Sequence, residues 1–204
     1  MADEINAKDD GKKFTPHPEG QYAAVCVDTV NLGEKVEQYA DQEPKLTKKC
    51  AVIFRTGVAR DDGELFEIAS EFTVSMYETA NLRKFLEDWR GKSYTVEEAE
   101  AGVPLHKLVN AAALISVEHK KSVRGRIYAK IKSVAPLPKV MPAPATGTYQ
   151  RADWWDEKKK EYAEGVVKHR AGQKQKVGVA AGGVAGEFTD FPEAIDDQDD
   201  DLPF

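Results

Sequence analysis

A chain of 204 residues is long enough for one domain with appendages. Its 41% hydrophobic and 31% charged residues, with a mean hydropathy of −0.54, point to a soluble protein with a packed core. The formal charge of −6 is unevenly spread: residues 187–204 hold eight acids and no Lys or Arg, which leaves 27 acids against 29 basic residues, a balance of +2, in residues 1–186. The acidic total therefore does not exclude a nucleic-acid partner. The N-terminal stretch lacks the apolar region of a signal peptide, and no apolar run is long enough to span a membrane. Cys26 and Cys50 stand alone in apolar runs without a CxxC, which fits reduced core residues in a bacterial cytoplasm.

Residues 1–13 are polar and read as a flexible arm. Gln21 to Val30 is the first strand expected, and Thr47 to Val58 the second, with Cys50-Ala51-Val52-Ile53-Phe54 apolar on both faces as in a central strand. Asp61-Asp62-Gly63 is a hairpin signal. It leads into Phe66, Ile68, Phe72, Val74 and Met76, all of one parity and opposed by polar residues, hence a half-buried third strand.

A helix follows. Leu82, Phe85, Leu86 and Trp89 form one apolar stripe, Thr79 is placed to cap its start, and Gly91 sits where a left-handed C-terminal cap belongs. Thr95 and Glu98 make a capping box for a short second helix over Val96–Ala101, closed by Gly102 and Pro104. Val109–His119 has the alanines of a helix but ends in Leu114-Ile115-Ser116-Val117, and is taken as a strand. A turn at Arg124-Gly125 joins it to Arg126–Val134, where Ile127, Ala129 and Ile131 point one way and Arg126, Tyr128, Lys130 and Lys132 the other.

Three strands, a helix and a two-stranded hairpin is the element order of the OB-fold, a five-stranded, partly open barrel with a helix between its third and fourth strands. The expected domain covers residues 14–138. A generic α+β sheet with one packed helix is the competing architecture. Pro138, Pro142 and Pro144 then mark a stiff linker through 139–151, a charged helix is expected over 152–171, and 172–204 reads as a tether and acidic tail.

The hairpin is the best binding candidate. Leu105 to Ala135 holds seven Lys or Arg (Lys107, Lys120, Lys121, Arg124, Arg126, Lys130 and Lys132) and one acid, Glu118. Cations neutralise phosphates, and an aromatic such as Tyr128 stacks a base without reading its identity. Alternating Lys and Arg also keep an outer strand solvated and block edge pairing; the OB-like order tips the reading toward binding. Lys48, Lys49 and Arg55 are candidates to extend the groove. Phe54 is a candidate stacking platform in a run apolar enough to make it core instead. Trp89 reads as core, and Trp154 and Trp155, set among acids, as docking residues for their helix.

The chain ends Asp199-Asp200-Asp201-Leu202-Pro203-Phe204. An acidic segment without basic residues cannot offset its own ordering entropy, so disorder is expected there. An apolar tip on such a leash suits presentation to another protein. This ending resembles the C-terminal tip of bacterial single-stranded DNA-binding proteins and several phage counterparts. The hairpin, with Val117-Glu118-His119-Lys120, Gly125 and Tyr128-Ala129-Lys130-Ile131-Lys132-Ser133-Val134, is similar to the corresponding segment of a phage-encoded group of these proteins. The resemblance implies a non-enzymatic protein that coats single-stranded DNA in replication and recombination, self-association on DNA, and recruitment of partner enzymes through residues 199–204. The same acids are expected to compete with DNA for the basic groove. A single-strand annealing protein and an interaction adaptor without a nucleic-acid role are the alternatives. No catalytic motif, phosphate loop or metal-ligand spacing is present in the sequence, and no cofactor is expected.

Overall fold

The computed structural model describes residues 15–38, 42–123 and 125–180, with side chains as far as 173. The expected arm over 1–13, Arg124 and the tip at 199–204 lie outside them. The elements are strands β1 (Gly20–Glu37), β2 (Lys45–Ala59) and β3 (Leu65–Thr73), helices α1 (Asn81–Arg90) and α2 (Val96–Ala101), strands β4 (Ala112–Lys121) and β5 (Ile127–Pro136), and helix α3 (Trp154–Ala180). The strands form one open, antiparallel sheet in the order β3-β2-β1-β4-β5. Its edge strands, β3 and β5, also touch each other, with no ladder between them among the described residues, and α1 packs against both. Among the described residues no helix is long and apolar enough to cross a membrane.

The apolar run of β2 divides by parity. Cys50, Val52 and Phe54 enter an inner core with Ala24, Cys26, Ile68, Leu86, Trp89, Ile115 and Ile131. Ala51 and Ile53 enter a separate outer core with Val30, Leu32, Trp155 and Tyr162. β1 serves both through a bulge: Cys26 pairs with Phe54 but Asp28 with Ile53, so the phase changes at Val27. Ala24 and Cys26 therefore belong to the inner core and Val30 to the outer one. Burial in this setting pushes the free thiols up, Cys26 to about 12 and Cys50 to about 11.

Several boundaries move. β1 extends to Glu37, beyond the expected Val30, because its second half pairs with Lys45–Lys49. β4 starts at Ala112 because Leu105–Leu108 wind into a 3-10 turn and Asn110 takes a φ of 71°. α1 is capped by the backbone at Ala80 without a side-chain bond, so Thr79 does not serve as its cap. The capping box of Thr95 and Glu98 forms as expected, with Glu98 also gripped by Arg90. α3 continues to Ala180, past the expected limit at 171.

The chain divides into two compact units, residues 1–168 and 169–204. The first holds the sheet, α1, α2 and α3 as far as Lys168. In the second, Gln173 Nε2 lies 3.1 Å from His169 Nε2.

Gly91 ends α1 with a φ of 69°, and a Cβ there would meet Pro136 Cγ at 2.9 Å. Replacement by Ala adds left-handed strain of about 1–2 kcal/mol to that collision. Gly91→Ala is expected to lower the unfolding free energy by at least this amount, read as a lower urea midpoint with an unchanged denaturant slope.

Candidate functional site

The hairpin of β4 and β5 gathers the largest group of expected site residues. Lys120, Lys121, Arg126, Tyr128, Lys130 and Lys132 are all exposed on it, and Tyr128 pairs across the ladder with Lys120. The alternation of β5 is seen from Tyr128 to Ile131, which is buried while Tyr128 and Lys130 are open to solvent; Ile127, expected on the inward face, is exposed instead at the start of the strand. Ser116 then pairs with Ser133 and Val117 with Ile131, leaving Lys132 bulged out of the ladder. This bulge sets the next inward residue at Val134 and keeps Lys132 on the solvent side.

β5 forms one wall of a groove of about 600 Å³ along its seam with β3. Phe72 and Glu71 of β3, Asn81, Lys84, Phe85 and Asp88 of α1, and Tyr128, Lys130 and Lys132 of β5 line it. The charges are mixed, but two of the acids are engaged. Glu71 accepts from Lys158 and from the Tyr162 hydroxyl at 3.0 Å. Glu118 binds Lys120 at 2.9 Å, and this hydrogen bond, with Lys132 and Lys130 nearby, holds its carboxyl below the usual range. Lys130, Lys132 and Lys84 form no ion pair among the described residues.

Three expected contacts turn inward instead. Phe54 is fully buried, tilted against Trp89 at 5.0 Å, because its parity on β2 faces the inner core; it cannot stack a ligand. Lys49 is buried, with Nζ 2.7 Å from Glu37 and donating to Thr73 at 2.8 Å. Arg55 is buried as well, donating from Nε and Nη2 to Glu67 and from Nη1 to the carbonyls of Thr146 and Thr148 at 2.8 and 3.0 Å. The five N–H donors of a guanidinium cover the four hydrogen bonds made here, one more than the three donors of a lysine ammonium allow. Lys48 and Lys107 are exposed but do not line the groove.

Arg55 shows that residues 146–151 are a strap bonded to the sheet rather than a free linker. Asp28 accepts two hydrogen bonds from Arg151, at 2.6 and 2.8 Å, and one from the Tyr149 hydroxyl at 3.2 Å. The strap delivers Trp155 into the outer core at 1% exposure, which meets the expectation that this helix docks on the body. The N-terminal approach is pinned too. His17 is buried with Nε2 2.7 Å from Thr56 Oγ1, and His119 Nε2 lies 2.8 Å from the His17 carbonyl. Burial, with His119 adding to it, holds the His17 imidazole below its ordinary pKa despite an opposing bond to the Pro18 carbonyl.

A second cavity, of about 350 Å³, continues the groove: Ala69, Glu71, Tyr128 and Ala129 line both. Arg60, Phe66 and Trp154 complete its wall. Arg60 and Trp154 were not among the expected site residues. Arg60 carried a signal, since it is a basic residue beside the Asp61-Asp62-Gly63 turn; Trp154 had none, because its place depends on the path of the strap.

No protein-family model matches the chain, and no curated protein matches it. Among the described residues no group of three or more His, Cys, Asp or Glu is arranged to hold a metal ion.

Burial alone would raise the Asp28 pKa, but the Arg151 and Tyr149 bonds hold it below its ordinary 3.8. A depressed carboxylate pKa adds stability above the unfolded value and loses it as pH falls through the folded one. At neutral pH, Asp28→Asn is expected to weaken strap docking by about 1 kcal/mol, the half-exposed Arg151 being partly screened. Protease cleavage within 139–152 reads this out, and the gap from wild type should close as pH drops below 3.8.

Proposed function

We propose that this chain is a non-enzymatic protein that binds single-stranded DNA in the seam between β3 and β5, with little regard to sequence. The observation that carries the reading is the groove itself, in which exposed Tyr128 is followed along β5 by the cations Lys130 and Lys132, neither in an ion pair among the described residues. An aromatic face beside cations suits a strand whose bases are unpaired: the ring stacks a base and the ammonium groups meet neighbouring phosphates. A duplex hides its base faces, so the same groove gains nothing from Tyr128 on double-stranded DNA.

The body is proposed to be an OB-fold. The order β3-β2-β1-β4-β5, the approach of β3 to β5 and the position of α1 between β3 and β4 in the chain all support this. Coating and protecting strands during replication or recombination, in a phage setting, follows from that reading together with the sequence resemblance. Residues 199–204 are proposed to dock partner enzymes, the apolar tip entering a basic-rimmed pocket.

Anisotropy titrations of a labelled oligonucleotide at several salt concentrations test the reading. Lys84, Lys130, Lys132 and Arg60 give at most about four phosphate contacts, so log K should fall with log salt at a slope of about −3 or shallower for a single strand. The double variant Lys130→Ala/Lys132→Ala should flatten that slope by about 1.4. Equal affinity for duplex and single strand would overturn the single-strand reading, and the absence of salt-sensitive strand binding would leave an interaction adaptor as the reading.

A further inference from the structure

We infer that the strap and α3 add a second base-stacking position to this site, with the exposed face of Trp154 as its platform. The inference rests on the single-strand reading of the seam and extends it to a part of the chain outside the five-stranded body. Trp154 and Trp155 are adjacent, yet their surroundings are opposite: Trp155 is 1% exposed and Trp154 is 48% exposed. The outer core is closed by Trp155 and Tyr162, so the burial that docks the helix does not account for a second, half-open indole.

The open ring is nevertheless held in place. Its centroid lies 3.8 Å from that of Trp155 with the planes 28° apart, so the buried indole fixes the orientation of the exposed one. Lys158 Nζ sits 5.7 Å from both ring centroids and also pairs with Glu71, which limits rotation of the pair. A rigid aromatic loses little entropy when a ligand ring settles on it.

The surroundings define the ligand as a strand. The cavity lined by Trp154 shares Tyr128, Ala69 and Glu71 with the seam groove, so the two aromatics belong to one continuous depression. Arg60 lies at its edge, 5.3 Å from the Phe66 ring, with no ion pair among the described residues. The acids there are engaged: Glu67 binds Arg55, and Glu71 binds Lys158 and Tyr162. Exposed aromatics at two points and a cation at the rim fit successive bases with a phosphate near Arg60.

The test uses the full chain with Trp154→Ala and Trp154→Phe, a dT oligonucleotide, and the same oligonucleotide with its bases replaced by abasic sites. Trp89 and Trp155 remain in each variant, and their fluorescence maxima report whether the fold is intact. Trp154→Ala should lower affinity for the dT strand about tenfold while leaving the abasic strand within about twofold, and Trp154→Phe should retain most of the binding. A merely structural indole would weaken both strands alike, and that result overturns the inference, as does unchanged affinity for dT. If the wild-type chain binds neither strand, the single-strand reading itself fails and this inference with it. Normal wild-type binding with an indifferent Trp154→Ala removes the inference alone.

Discussion

β2 is apolar on both faces, and the rest of the architecture answers to that. Phe54 and Val52 need one cover, and Ile53 and Ala51 need another. The curled sheet and α1 provide the first. The second is provided by residues that follow the sheet in the chain, with Trp155 alone worth about 3–5 kcal/mol by the usual cost of removing a buried indole. The bulge at Val27 makes the arrangement possible, because it lets one strand put Cys26 into the inner core and Val30 into the outer one.

Covering the outer face has electrostatic consequences. The strap brings carbonyl oxygens and an arginine onto the sheet, and buried charges must be matched to them. Arg55 binds Thr146 and Thr148, and Asp28 binds Arg151. These groups are thereby removed from any ligand. What stays open is the seam where β3 and β5 meet with no ladder among the described residues, and where Tyr128, Lys130 and Lys132 are exposed. Lys49 and Arg55 of the central strand β2 thus hold the protein together, while Lys130 and Lys132 of the edge strand β5 face solvent.

Much of this was legible in the sequence because it is local. The parity of Phe66 and Ile68, the stripe of α1, the capping box at Thr95 and the glycine at position 91 each depend on neighbours a few residues away. The roles of Lys49 and Arg55 depend on residues 24 and 91 positions distant, and no pattern within β2 distinguishes them from the exposed Lys48. Bulges are hidden for the same reason: neither the phase change at Val27 nor the extrusion of Lys132 leaves a mark on composition. Of the candidate site, the hairpin cations and Tyr128 were readable from alternation. Arg60 stood beside a legible turn, but the place of Trp154 was not readable, since it exists only once the strap has crossed the sheet.

Photocrosslinking locates a bound strand on the protein surface. A single strand carrying halogenated uracil, irradiated on the full chain and digested for mass spectrometry, reports which side chains touch its bases. Crosslinks are expected to Tyr128 and to other residues along the β3–β5 seam, suppressed by excess unlabelled single strand and not by duplex. Crosslinks confined to the far side of the hairpin or to the β1–β2 turn, with none along the seam, would contradict binding there.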